Sequence, residues 1–137
     1  MSAPSDDRAP LSEAQLEIMN LVWDETEVTV ADVWKALAQR RKLARNTVQT
    51  LMVRLEEKGW LTSQTEGHAF RYRAAVPREA VQGMMVRRLL DSAFGGSAEG
   101  LVLALLEGRG ISRAQAQRVR DLIKRAEEER KPKGGRS

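Results

Sequence analysis

The chain has no cysteine, a single histidine and few aromatic residues. Without cysteine it can form neither disulfides nor thiolate metal sites, and it has no cysteine nucleophile. One histidine, His68, is too few for an imidazole metal site, and the carboxylates show no ligand spacing. We therefore expect no metal and no cofactor. Aromatic residues make up only 4% of the sequence, so the core is expected to consist mainly of Leu, Val, Met and Ala.

The sequence also lacks the patterns that enzymes and membrane proteins need. It has no paired carboxylates at catalytic spacing and no phosphate-cradling Gly loop, so we predict that it is not an enzyme. No apolar run approaches the roughly 20 residues that a membrane-spanning helix requires. The first ten residues have neither a basic start nor an apolar stretch, unlike a secretion signal. We expect a cytoplasmic protein without membrane insertion.

The net charge of +4 hides a polarised distribution. Residues 1–34 carry one basic and eight acidic residues, a net charge of −7. Residues 35–60 carry seven basic and two acidic residues, a net charge of +5, and residues 109–137 carry a net charge of +6. Two basic blocks favour a polyanionic partner or a solvated tail. The charge alone does not choose between them.

Apolar periodicity predicts three helices in the first half of the chain. The first begins after Ser12, in a capping box, and the second after Thr29, with a short strand at Val28 between them. The third runs from about Arg45 to Lys58 and is followed by a glycine.

After the third helix the periodicity changes to that of a β-hairpin. Residues 61–65 and 69–73 alternate in polarity and flank Gly67, which supplies the turn conformation. Three helices followed by a hairpin are typical of a winged helix-turn-helix. We predict this domain over residues 11–75, preceded by a disordered arm at residues 1–10.

The second half reads as three further helices over residues 76–130, followed by a disordered tail at residues 131–137. The fold class is therefore mainly α with a small β-hairpin: an N-terminal winged helix-turn-helix and a three-helix C-terminal dimerisation region. The last three helices have more apolar surface than they can enclose, so we predict a homodimer. An alternative is that this half folds back on the winged helix. The predicted dimer interface comprises Met84, Met85, Leu89, Leu90, Phe94, Leu101, Val102, Leu105, Leu106, Val119, Leu122 and Ile123.

The third helix carries the side chains that most favour DNA binding. Its apolar stripe leaves amides, hydroxyls and a guanidinium toward water, and these groups read base edges and phosphates. The hairpin adds an imidazole and a guanidinium near its tip, where a wing contacts the phosphate backbone or the minor groove. An ordinary solvated face is the alternative for both elements. The candidate DNA-binding residues are Lys42, Arg45, Asn46, Thr47, Gln49, Thr50, Arg54, His68 and Arg71.

Four segments resemble the penicillinase repressor family, also called BlaI/MecI. They are LSEAQLEIMNLVWDETEVTVADVWKAL, NTVQTLMVRLEEKGWL, the hairpin EGHAFRYRA, and RRLLDSAFGGSAEGLVLALLE. The resemblance spans residues 11–129. It implies a winged-helix repressor that dimerises through C-terminal helices and binds operators with TACA/TGTA half-sites. It also implies that the third helix is the recognition helix, that Gly67 to Arg71 form the wing, and that the dimer domain begins near Pro77.

Two departures from the family limit what the resemblance implies. In antibiotic-responsive members a membrane sensor-linked protease leads to cleavage at an Asn-Phe bond, where this chain has Ala104-Leu105. Copper-responsive members have a C-terminal cysteine motif, which is absent here.

From these observations we predict a sequence-specific transcriptional repressor that binds double-stranded operator DNA as a homodimer. Its release by proteolysis in the dimerisation domain is a further expectation. A winged-helix protein-interaction adaptor and an effector-binding regulator remain the alternatives.

Overall fold

The computed structural model describes residues 10–130. The predicted disordered arm, apart from Pro10, and the predicted disordered tail lie outside the described residues. The order of elements is α1 (Glu13–Glu25), α2 (Val30–Leu37), α3 (Arg45–Glu57), β1 (Leu61–Glu66), β2 (Ala69–Ala74), α4 (Arg78–Ala93), α5 (Ala98–Glu107) and α6 (Arg113–Arg130). The predicted fold class, mainly α with one hairpin in a winged helix-turn-helix, is confirmed. The dimerisation role of the last three helices stays a prediction.

The helix starts follow from local hydrogen bonding. At α1 the Ser12 hydroxyl accepts from the Gln15 N–H at 3.1 Å, and the Gln15 side chain accepts from the Ser12 N–H at 2.9 Å. Thr29 and Asp32 form the same reciprocal pair at α2, with distances of 3.1 and 2.9 Å. These capping boxes satisfy backbone donors that the first turn of a helix leaves unpaired. The polar residues predicted to begin α1 and α2 are therefore confirmed.

β1 and β2 form an antiparallel pair whose register runs from Leu61 opposite Ala74 to Glu66 opposite Ala69. Gly67, with a φ of 66°, and His68 make the turn between the strands. The short strand predicted at Val28 is reduced to an isolated bridge to Tyr72. The bridge consists of two hydrogen bonds, from the Val28 N–H at 3.0 Å and to the Val28 carbonyl at 2.7 Å. Val28 thereby attaches the α1–α2 connection to the hairpin.

The chain divides into two compact units between Arg88 and Leu89. The core of the N-terminal unit combines side chains from all three first helices with the base of the hairpin and the start of α4. Val76 and Val81 belong to this core, although they follow residue 75. The predicted boundary at residue 75 between the DNA-binding and dimerisation functions stays a prediction. The buried core residues are Ile18, Met19, Val22, Val28, Val33, Leu37, Val48, Met52, Leu55, Trp60, Leu61, Tyr72, Val76 and Val81.

In the C-terminal unit, α4 ends at two glycines with positive φ, Gly95 at 57° and Gly96 at 83°. The Ser97 hydroxyl then accepts from the Gly100 N–H at 2.9 Å and starts α5. Neither α5 nor α6 contains a buried residue, and Leu103 and Leu122 are each 56% exposed. Within residues 10–130 no single helix is long and apolar enough to span a membrane; α4 and α5 together, as a bent pair, pass that criterion by length and composition alone.

Candidate nucleic-acid interface

The core fixes which face of α3 points to solvent. Val48, Met52 and Leu55 are fully buried, and their spacing of four and three residues marks one side of a helix. The opposite side is therefore exposed. All six predicted contacts on α3 are exposed, as is Lys42 just before it. The structure thus brings these polar residues together along one element: Lys42, Arg45, Asn46, Thr47, Gln49, Thr50 and Arg54. Their role in binding DNA stays a prediction.

The N-terminus of α3 differs from those of α1 and α2, because no side chain caps it. Ala44 occupies the N-cap position and makes no side-chain hydrogen bond. The Thr47 N–H donates instead to the Ala44 carbonyl at 3.0 Å, and the other N–H groups of this turn lie at the positive end of the helix dipole. Arg45 and Lys42 flank this turn. An anion such as a phosphate would be favoured at this end of the helix.

Thr50 is already partly engaged within α3. Its hydroxyl donates to the Asn46 carbonyl at 2.9 Å. The hydroxyl hydrogen is thus used in a hydrogen bond within α3. Thr50 presents its oxygen lone pairs and its methyl group to a ligand. Such a side chain can accept a hydrogen bond from a base amine or contact an apolar base substituent.

Arg41, in the basic segment before α3, is committed to an ion-pair network with α1. Its guanidinium lies 2.7 Å from the Glu13 carboxylate and 2.9 Å from that of Glu17. The hydrogen bond from Arg41 lowers the pKa of Glu17, and the same contacts raise the pKa of Arg41. Part of the positive charge that the sequence places before α3 is therefore compensated by α1.

The arginines of the hairpin are also paired with acids. The Arg71 Nε lies 2.9 Å from Glu66 Oε1, and a second Arg71 nitrogen lies 3.9 Å from Glu27 Oε1. The Arg73 Nε lies 2.9 Å from Glu27 Oε2. His68 is exposed in the turn. We call Glu27, Glu66, Arg71 and Arg73 the wing cluster.

Glu27 was not among the predicted contact residues, because it lies in the α1–α2 connection and far from the hairpin along the chain. A usable signal was the strand predicted at Val28. A strand there must pair with the hairpin, and the residue before it then lies beside alternate hairpin residues.

Two exposed apolar side chains on these elements were missed as well. Val53 on α3 is 38% exposed, and Phe70 on β2 is 55% exposed. Val53 follows Gln49 by four residues and Thr50 by three, so it continues their stripe on the exposed face of α3. Helical spacing was the signal that could have found it.

The predicted dimer residues show two degrees of exposure. Met84, Leu90, Phe94 and Leu101 are half-buried, and Met84 packs against the core of the N-terminal unit. The remaining members are exposed: Met85, Leu89, Val102, Leu105, Leu106, Val119, Leu122 and Ile123. Their contact with a second copy stays a prediction.

Ala104 and Leu105, at the predicted cleavage bond, are both exposed and lie within the helical residues of α5. Cleavage at that bond would require this part of α5 to unwind, since a helical backbone already uses its own N–H and C=O groups. Proteolysis of this bond also stays a prediction.

The chain is similar to known proteins over most of its length. The penicillinase repressor family model matches residues 11–125. The transcriptional regulator BlaI of Mycobacterium tuberculosis (strain CDC 1551 / Oshkosh) is 34% identical over 110 residues, which cover 79% of this chain and 80% of that protein. The penicillinase repressor of Bacillus licheniformis is 28% identical over 102 residues, which cover 74% of this chain and 80% of that protein.

Among solved structures, the chain is similar to the DNA-binding domain of the repressor BlaI in solution, with a TM-score of 0.49 and 28% identity over 56% of this chain and 93% of that one. The family-model match over residues 11–125 and the 34% identity to the Mycobacterium tuberculosis protein show that the chain belongs to the penicillinase repressor family of DNA-binding transcriptional repressors.

Proposed function

We propose that the chain represses transcription by occupying a palindromic operator as a homodimer, with α3 of each protomer in the major groove. The observation that carries the proposal is the exposed face of α3. It presents amide, hydroxyl and guanidinium groups, while the opposite face is fixed by buried Val48, Met52 and Leu55. Amides favour adenine, and a guanidinium favours guanine or phosphate. Such a face can distinguish one sequence from another.

The exposed apolar side chains of α5 and α6 support the homodimer. Leu105, Leu106, Leu122 and Ile123 are each between 44% and 56% exposed. A large exposed apolar surface favours contact with a second copy, because association removes it from water. A two-fold dimer also matches the two-fold symmetry of a palindrome. The BlaI protein of Bacillus licheniformis has been solved in monomeric form with a half-operator, and a palindrome supplies two such halves.

A binding titration tests the proposal. A duplex with TACA/TGTA half-sites, which the family resemblance implies, is compared with a scrambled duplex at two salt concentrations. We expect tight binding to the first duplex with two chains per palindrome, and weaker binding at high salt because displaced counterions are released. Equal affinity for the two duplexes would contradict recognition of these half-sites, and no binding to either would favour a protein-interaction adaptor.

Substitutions on α3 test the assigned face in the same assay. Gln49→Ala or Arg54→Ala should weaken specific binding by about 1–3 kcal/mol if the side chain contacts a base. Gln82→Ala, an exposed amide on α4, is the matched control and should bind like the unmodified protein. Retention of full affinity by both α3 variants would show that another face reads the DNA.

A further inference from the structure

The wing cluster is held together by the backbone as well as by its charges. Val28 exchanges two backbone hydrogen bonds with Tyr72, at 3.0 and 2.7 Å. Because side chains alternate along a strand, Arg71 and Arg73 leave β2 on the face opposite to buried Tyr72. The bridge thus places Glu27, the neighbour of Val28, beside both arginines.

Glu27 divides its carboxylate between the two arginines. One oxygen lies 2.9 Å from the Arg73 Nε and the other 3.9 Å from an Arg71 nitrogen. Glu66 approaches Arg71 from the hairpin itself, at 2.9 Å. The two positive charges of the cluster are therefore matched by two negative charges, and the hairpin face that carries Arg71 and Arg73 has little net charge.

The pairs in the wing cluster are open to competition by another anion. The side chains of Arg71 and Arg73 are 42% and 57% exposed, and that of Glu27 is 31% exposed. Exposed ion pairs contribute little to stability, since water already solvates the charges well. A DNA phosphate could therefore replace Glu27 as the partner of an arginine at small cost.

We propose that Glu27 limits the affinity of the wing for DNA phosphate by holding Arg71 and Arg73 in compensated pairs. The inference rests on the proposed function, because it assumes that the hairpin approaches DNA. Phosphate attraction does not depend on sequence. Compensation of the wing arginines therefore lowers binding to arbitrary DNA and leaves discrimination to α3. Glu27 acts through the arginines, by compensating their charge, and does not itself contact the DNA.

Glu27→Gln tests this role, with Glu25→Gln as the matched control. Glu25 is exposed, lies two residues earlier and makes no ion pair among residues 10–130. Both substitutions remove one negative charge, but only the carboxylate of Glu27 contacts the arginines. Affinities are measured for the operator and the scrambled duplex over a salt series, and thermal unfolding confirms that each variant is folded.

We expect Glu27→Gln to bind both duplexes several-fold more tightly at low salt, by about the same factor for each, because phosphate attraction does not depend on sequence. The slope of log affinity against log salt should steepen by about 0.9 for each additional phosphate contact. Glu25→Gln should give a smaller gain and an unchanged slope. Combining Glu27→Gln with Arg71→Gln and Arg73→Gln should abolish the gain.

Weaker binding by Glu27→Gln would overturn the inference, since it would mean that Glu27 aims the arginines at DNA. Equal gains for Glu25→Gln and Glu27→Gln would overturn it too, by showing a general charge effect. If the unmodified chain bound neither duplex, the proposed function would fail and the inference with it. If the unmodified chain distinguished the two duplexes but Glu27→Gln changed neither affinity, the inference would be overturned and the proposed function would stand.

Discussion

On α3, the sequence predicted which polar side chains are exposed but did not predict the exposed valine. The period of the buried residues indicated which polar side chains point outward, and Asn46, Gln49 and Thr50 are exposed as predicted. Val53 was not assigned to that face, because an apolar residue is assumed to be buried unless the structure shows otherwise. Its exposure of 38% depends on how α3 packs against the other helices. Helical spacing places Val53 on the exposed face, whereas the fraction of its side chain that stays exposed depends on that packing.

The position of Val53 leads to a prediction about base recognition. If the exposed face of α3 reads the operator, Val53 meets a base edge one turn beyond Gln49 and Thr50. An apolar side chain there favours the methyl group of thymine. Val53→Ala removes two methyl groups and should weaken operator binding by about 1 kcal/mol.

The measurement for Val53 is a double-mutant cycle in which each thymine position of the half-site is replaced in turn, in both halves of the palindrome, by deoxyuridine, which lacks the methyl group. We expect the loss from Val53→Ala to disappear at one thymine position and to persist at the others. Additive losses at every position would contradict a methyl contact.

At the scale of elements, helix caps and the hairpin turn could be predicted from the sequence, but side-chain contacts between different elements could not. Capping boxes and the hairpin turn depend on residues within a few positions of one another, so their patterns are visible in sequence. Arg41 instead pairs with Glu13 and Glu17, which are 28 and 24 positions away. The sequence showed only a basic segment before α3. Tertiary packing decides that one of its charges ties this segment to α1.

The link between α1 and Arg41 should depend on pH. Arg41 lowers the pKa of Glu17 in the folded chain. The folded state therefore binds a proton at Glu17 less readily than the unfolded state does. The stabilisation that the ion pair between Glu17 and Arg41 gives the folded state is fully present above the pKa of a glutamate in the unfolded chain, about 4.3. It is lost as the pH falls through the lower pKa of Glu17 in the folded chain.

Glu17→Gln should reduce the free energy of unfolding at neutral pH. The difference in this free energy between the variant and the unmodified protein should shrink as the pH is lowered through the pKa values of Glu17 in the unfolded and folded chain. Urea unfolding at a series of pH values measures this difference. Glu57→Gln, at an exposed carboxylate on α3 without an ion pair among residues 10–130, is the control and should show a smaller effect. A difference for Glu17→Gln that stays constant with pH would contradict the ion-pair explanation.

For the whole molecule, the order of the six helices and the hairpin could be predicted, but the extent of the N-terminal unit could not. Pro77 indicates where a helix begins, whereas a compact unit ends where packing ends. Val76 and Val81 are buried in the N-terminal core, and the Val76 carbonyl accepts from the Trp23 indole at 2.9 Å. Arg78, at the start of α4, pairs with Asp24 and stacks over Trp23. These contacts join the beginning of α4 to α1.

Two truncations separate the folding of this unit from dimerisation. A chain of residues 1–88 retains Val76 and Val81 and should fold as a monomer. A chain of residues 1–75 loses both, and at about 1.5–3 kcal/mol for each buried valine it should be less stable by at least about 3 kcal/mol. Thermal unfolding compares the two truncated chains with the full chain.

Sedimentation and operator titration complete the test. If α5 and α6 supply the dimer contact, residues 1–88 sediment as a monomer and bind a half-site, but they lose the added affinity that a linked second half-site provides. The full chain retains that affinity. A dimer formed by residues 1–88 would move the interface into the N-terminal unit, and a chain of residues 1–75 as stable as residues 1–88 would mean that α4 adds nothing to the core. Because unfolding and sedimentation respond to different parts of the chain, either result can fail while the other holds.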